Sequence, residues 1–120
     1  MNPVTPRDRM TDREYASRTS AVLARIEAIV DRWLDDDVID IDTHRTGGLL
    51  ELEFPNGTKI VLNTQPPLQE LWLAAPSGGR HFHCVEGRWI DTRDQQEFFK
   101  ALSTSASEQA GQQLEFSATG

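Results

Sequence analysis

Between Glu27 and Asp42 stand seven acids, Glu27, Asp31, Asp35, Asp36, Asp37, Asp40 and Asp42, against a single base, Arg32. That window carries −6 of a formal net charge of −7, so the rest of the chain sums to about −1. Carboxylate oxygens are hard ligands. With no thiolate or paired imidazole among them they suit Ca²⁺, Mg²⁺, Mn²⁺ and iron rather than zinc or copper. The spacing is not an EF-hand loop, because Asp35 to Asp42 lacks the mid-loop glycine and the closing bidentate glutamate. Acids on an open surface leave an ion most of its waters, so several weak sites are expected rather than one cage. Solubility alone does not ask for clustered charge, since like charges repel. The run Asp35-Asp36-Asp37 also falls where a helix ends, and acids there oppose the macrodipole at a cost of roughly 0.3–1 kcal/mol each. A surface that gives up stability at several positions with one sign points to a bound cation or a basic partner.

Other chemistry is sparse. His81 and His83 stand two apart on a predicted strand and face the same way, but no third ligand lies in sequence reach, and we read them as surface or pH-tuned histidines. Cys84 shares its parity with Phe82 and reads as an inert core residue. Trp72 is placed opposite to Leu71 and Leu73, which leaves a large aromatic ring facing out near Asn63, Gln65 and Gln69. No Ser/His/Asp or Cys/His arrangement and no glycine-rich phosphate loop is present.

The elements that must position these residues are legible from period and capping. Thr11 and Glu14 form a capping-box signature. Behind it Tyr15, Thr19, Val22, Ile26, Ile29 and Trp33 recur at helical spacing, predicting an amphipathic helix over about residues 11–35, with Glu27, Asp31 and Asp35 on its solvent side. Val38 to Asp42 alternates strictly and predicts a strand with Ile39 and Ile41 inward and Asp40 and Asp42 outward. Leu50, Leu52 and Phe54 alternate in the next strand, and Asn56-Gly57 marks a hairpin into Lys59–Asn63. Thr64 to Leu68 contains two prolines and is not expected in the ladder. Further strands are predicted at Leu71–Ala74, Arg80–Cys84 and Arg88–Asp91. Thr92 and Gln95 suggest a second capping box, opening a helix that runs to about 107–109 and stops at Gly111. Leu114 and Phe116 should tuck against the helices. Short connections require antiparallel strands. The fold class is therefore α+β, a two-layer sandwich with two helices on one face of an antiparallel sheet of five or six strands. The opposite face, carrying Asp40, Asp42, Asn63, Trp72 and His81, stays in water. One domain spans 11–116, with a flexible tail at 1–10 and a short one at 117–120.

At 120 residues with 38% hydrophobic and 26% charged content, the chain suits one core. No stretch approaches the ~20 apolar residues of a membrane helix, and the first residues do not read as a secretory signal. A single cysteine excludes an internal disulfide and suits a reducing cytosol. The acidic balance argues against nucleic acid or an anionic membrane as partner.

The run Leu62-Asn63-Thr64-Gln65-Pro66-Pro67-Leu68-Gln69-Glu70-Leu71-Trp72-Leu73-Ala74, followed by Gly78-Gly79, resembles the frataxin signature. The Asp-Ile-Asp segment, the Asn-Gly hairpin and the acidic first helix come in that family's order, and the likeness covers roughly 11–116. It implies an α-β-α sandwich and a cytoplasmic, bacterial-type member acting in iron–sulfur cluster assembly. It also implies weakly held iron (Fe²⁺ or Fe³⁺) at Asp31, Asp35, Asp36, Asp37, Asp40 and Asp42. Its partners would be a cysteine desulfurase and the scaffold protein, contacted through Glu27, Asn63, Gln65 and Trp72. Such a protein is expected to be a monomer that iron can drive to oligomerise. Val30 and Leu34 stand where the family often carries further acids, and Arg32 interrupts, so this ridge should hold fewer ions. Ferroxidase or iron-storage activity, and a metal-independent acidic interaction module, are the competing expectations.

Overall fold

The computed structural model describes residues 5–119. Helix α1 (Asp12–Asp35) is followed by strands β1 (Asp42–Thr46), β2 (Leu49–Glu53) and β3 (Lys59–Gln65). A 3-10 turn at Pro66–Leu68 leads to β4 (Glu70–Ala75), β5 (Gly78–Val85), β6 (Arg88–Asp91) and helix α2 (Phe98–Ala110). The six strands pair antiparallel in chain order, a simple meander. No helix among the described residues is long and apolar enough to cross a membrane.

The capping box opens α1 as expected: Thr11 Oγ1 accepts the Glu14 N–H and Glu14 Oε1 accepts the Thr11 N–H. Leu23, Ile26 and Val30 of α1 bury against Leu50, Leu52, Ile60, Leu62, Leu71, Leu73 and Phe82 of the sheet, together with Phe98, Leu102 and Ala106 of α2. Both helices thus cover one sheet face, and each fully buried Leu, Ile or Phe there contributes about 1.5–3 kcal/mol. Ile41 and Phe54 join this core, Ile39 only partly, and Leu114 and Phe116 tuck in as predicted. The Tyr15 hydroxyl accepts the Gln65 N–H at 2.9 Å and donates to the Glu70 carbonyl, clamping α1 to both ends of the proline turn.

Three element boundaries differ from expectation. Val38–Ile41 is not strand; β1 starts at Asp42, opposite Glu53. Beyond Glu53 the next residue whose backbone would face β1 is Pro55, which has no N–H to donate, while Phe54 turns its N–H and carbonyl to the hairpin side, toward Thr58 and Gly57. Asp40 consequently lies off the sheet. Thr64 and Gln65 do join the ladder, paired with Leu71 and Glu70, because the prolines begin only after the last pair. Finally, Thr92 does not cap α2. The buried Asp91 carboxylate accepts the N–H groups of Arg93 and Asp94 and pairs with Arg80 at 2.9 Å, which folds residues 92–95 into a turn. Gln95 then takes a left-handed φ of 62°, and Glu97 is the cap, accepting from Phe99 and Lys100 N–H.

Residues 1–4 of the predicted tail lie outside the described residues, but Asp8 is anchored. Its N–H donates to the Cys84 carbonyl, and its carboxylate accepts the Glu86 and Gly87 N–H groups and pairs with Arg18 at 2.9 Å. The N–H of Gly87, then that of Glu86, pull the Asp8 carboxyl down to about 2 against the opposing effect of burial, with the Cys84 thiol and Arg18 assisting. A carboxyl lowered on folding stabilises fully above its unfolded value, about 4, and loses that contribution as pH falls through the folded one. Asp8→Asn should therefore cost about 1 kcal/mol at neutral pH, with the gap to the parent closing between pH 4 and 2. Urea unfolding at several pH values measures this, and a gap as large at pH 2 as at pH 7 would contradict it.

Candidate functional site

The last turn of α1 shows how the ridge is built and what it costs. Asp37 N–H donates to Leu34 O and Val38 N–H to Trp33 O, the paired bonds of a Schellman ending. Its reversal position is normally glycine, because a Cβ strains the left-handed backbone. Here it is Asp37, with φ 57°. Asp35 and Asp36 precede it on the negative end of the helix dipole, so the segment is acidic against both its backbone and its dipole.

Asp31, Asp35, Asp36, Asp37, Asp40 and Asp42 are all exposed. Asp36 has one loose contact, Arg32 at 3.9 Å; the other five take part in no ion pair among the described residues. Glu27 behaves differently. It is half-buried and bonded at 2.7 Å to Arg45, which also donates to Ser20 Oγ, so its charge ties α1 to β1 rather than extending the ridge. Arg45 can do this because its register opposite Leu50 turns it toward the helices. Asp42 points to the open sheet face beside Glu53, where Lys59 lies 3.9 Å from Glu53 and 3.7 Å from Glu51. These two strand glutamates add to the acidic corner and were legible only through register. Among the described residues no three His, Cys, Asp or Glu side chains converge to hold a metal ion. The ridge is thus an array of separate, hydrated carboxylates that offers charge to a cation or a basic surface.

The second group lies further along the open face. Asn63, Trp72 and His81 stand in one cross-strand row, with Gln65, Glu70 and His83 in the next. Trp72 is half-buried. Its ring stacks on His81 at 4.0 Å and 6°, and its Nε1 donates to Glu70 Oε1 at 2.8 Å. His81 Nδ1 lies 3.9 Å from the same carboxylate. Leu49, exposed, extends the row beyond Asn63. From sequence, His81 is placed on this face but not in contact with Trp72, and Glu70 and Leu49 are not placed there; strand parity was the signal for Glu70. Cys84 is buried between Arg18 and Asp8, and burial pushes its thiol up, consistent with an inert role.

Among the described residues the chain is an α+β sandwich with one uncovered sheet face, an acidic helix end and a stacked Trp72–His81 pair on that face. The frataxin-like domain model matches residues 8–112, and the chain belongs to the frataxin family. It is 55% identical to the iron-sulfur cluster assembly protein CyaY of Paraburkholderia phymatum, over 88% of this chain and 97% of that protein. It is 51% identical to the protein of the same name from Paraburkholderia phytofirmans, over 91% of this chain and all of the relative. Among solved structures, the frataxin of Psychromonas ingrahamii superposes with a TM-score of 0.79 at 33% identity, covering 90% of this chain and 99% of that one. Yeast frataxin shares the fold at a TM-score of 0.68 and 20% identity, over 90% of this chain and 95% of its own.

The strained acidic turn makes a direct prediction. Asp37→Gly should raise stability by about 0.5–1 kcal/mol, by relieving the left-handed Cβ and one charge on the helix end. Thermal unfolding at low salt checks it, and a lowered midpoint would show that the Asp37 side chain has a stabilising contact.

Proposed function

We propose that this protein acts in iron–sulfur cluster assembly by holding iron weakly along Asp31–Asp42 and presenting it, or an iron-sensitive surface, to a cysteine desulfurase and its scaffold in a reducing cytosol. The observation that carries this is Asp37: an acid held at a glycine position, within a run of exposed carboxylates that already opposes the helix dipole. The names of the CyaY relatives, similar over nearly their whole length, support the pathway. Charged oxygens favour Fe³⁺ over Fe²⁺, so slow oxidation of bound iron is a by-product of the ridge rather than a dedicated activity.

One observation favours a second reading. Because no three ligands converge among the described residues, the ridge also fits a purely electrostatic contact with a basic partner, metal being incidental. Desulfurase turnover with and without Fe²⁺ separates the two: an effect on turnover that needs iron supports the first, and an effect indifferent to iron supports the second.

Changing Asp31, Asp35, Asp40 and Asp42 together to Asn should remove most binding of Fe²⁺ or of Co²⁺ and Mn²⁺ surrogates, and leave the fold intact or slightly more stable. Calorimetric titration and a melting curve test both halves; retained binding or loss of fold would defeat the assignment.

Partner contacts should divide by their salt response. Ridge substitutions should slow association with the desulfurase and flatten its salt dependence, since exposed charges steer encounter and are screened within ~8 Å at physiological salt. Trp72→Ala should speed dissociation of the scaffold-containing complex, with the salt slope nearly unchanged and iron binding intact. Stopped-flow binding at two salt concentrations reads both. If Trp72→Ala unfolds the domain or leaves every complex untouched, the stacked indole is a packing residue.

A further inference from the structure

α1 carries a second charged stripe, opposite in sign to the ridge. Arg18, Arg25 and Arg32 repeat every seven residues, which places them on one side of the helix at steps of about 10 Å. Exposed Ala21 and Ala28 lie between them. Beside this stripe runs a groove made of two adjoining cavities, of about 430 and 260 Å³, that share Arg25. Val22, Trp89 and Phe99, themselves buried core residues, give the larger cavity apolar walls, and Arg88 stands at its rim.

The groove gathers positive charge on an otherwise acidic molecule. Arg25 and Arg88 take part in no ion pair among the described residues; the Arg25 Nε–H donates to the Ser117 carbonyl at 2.9 Å. Arg18 is paired with Asp8, and Arg32 is 3.9 Å from Asp36. Two carboxylates also line the groove. Glu97 is engaged in capping α2, and Glu115 lies at the far end.

We infer that this groove is a docking site for an acidic amphipathic helix of a partner protein. The seven-residue repeat of the arginines matches the repeat of a second helix lying along α1, and the alanines between them let its backbone approach closely. Acids at every seventh position would meet Arg18, Arg25 and Arg32, with small apolar side chains between them facing Ala21, Ala28 and the Trp89 wall. Asp31 and Asp35, about a quarter to half a turn round the same helix, would repel the same segment and confine it to the basic side. This surface is distinct from the ridge and from the Asn63–Trp72–His81 row.

The test is a ¹⁵N chemical-shift titration of the full chain with a synthetic helical peptide of about three heptads. It carries Glu at every seventh position and Leu and Ala between, and a shuffled peptide of equal composition is the control. Shifts at Ala21, Arg25, Ala28 and the Trp89 indole are expected. Arg88→Glu and Arg25→Gln should each weaken binding, by about tenfold when combined, and Asp31→Asn should not. Arg88 is exposed and unpaired, so its variant stays interpretable even if Arg25→Gln loosens the C-terminal segment. Shifts confined to residues 31–42, equal binding of the shuffled peptide, or no binding would overturn the inference. So would sedimentation showing that a second copy of the chain displaces the peptide.

Discussion

The sheet is buried on one side only, and the rest of the molecule depends on that asymmetry. Strict two-residue alternation in β2 to β5 sends Leu50, Leu52, Ile60, Leu62, Leu71, Leu73 and Phe82 to one face, where two helices seal them from water. Nothing among the described residues covers the other face. Side chains there are free to be chosen for contact, so Trp72, a residue usually drawn into cores, can sit half-buried on a histidine with its indole N–H satisfied by Glu70. The Tyr15 phenol supports this arrangement from behind, by holding the Gln65 and Glu70 backbones on either side of the proline turn.

α1 is the element on which the chemistry converges. Around its circumference it presents an apolar stripe to the core, acids to one side and arginines to the other. The acids concentrate at the end of the helix where the dipole disfavours them, and the chain reverses through an aspartate where glycine would be easier. Each of these choices costs a fraction of a kcal/mol to about one. Their shared sign is what supports the proposed cation or partner surface over a merely solvated helix end. Glu27 marks the boundary of that surface, since Arg45 recruits it into a contact between α1 and the edge strand.

The ridge does not close into a chelate, and that shapes the chemistry available to it. Separate carboxylates can concentrate cations and steer a basic partner, but they leave most of an ion's coordination to water or to the partner itself. An open array of this kind suits transfer and contact more than storage. The chain belongs to the frataxin family and is similar over nearly its whole length to proteins named for iron–sulfur cluster assembly, which is the setting of the proposed role.

Local information was sufficient wherever the chain interacts with itself over a few residues. The capping box at Thr11 and Glu14, the period of α1, the Asn56-Gly57 hairpin, the inward and outward parity of the strands and the concentration of acids were all legible, because helices, turns and pleats are specified by neighbours. Strand and helix ends were less so. β1 begins at Asp42 because the residue that would next face it, Pro55, has no N–H to give, and α2 begins at Phe98 because Asp91 is claimed by Arg80 on the neighbouring strand. Tertiary structure alone decided the long-range contacts. It brought Asp8 to the Glu86-Gly87 turn, Glu27 to Arg45, Trp72 onto His81, and the arginines of α1 beside Arg88 and Trp89. Those residues are far apart in the chain or joined only by register, and no periodicity records which distant side chains share a surface until the sheet and both helices have packed.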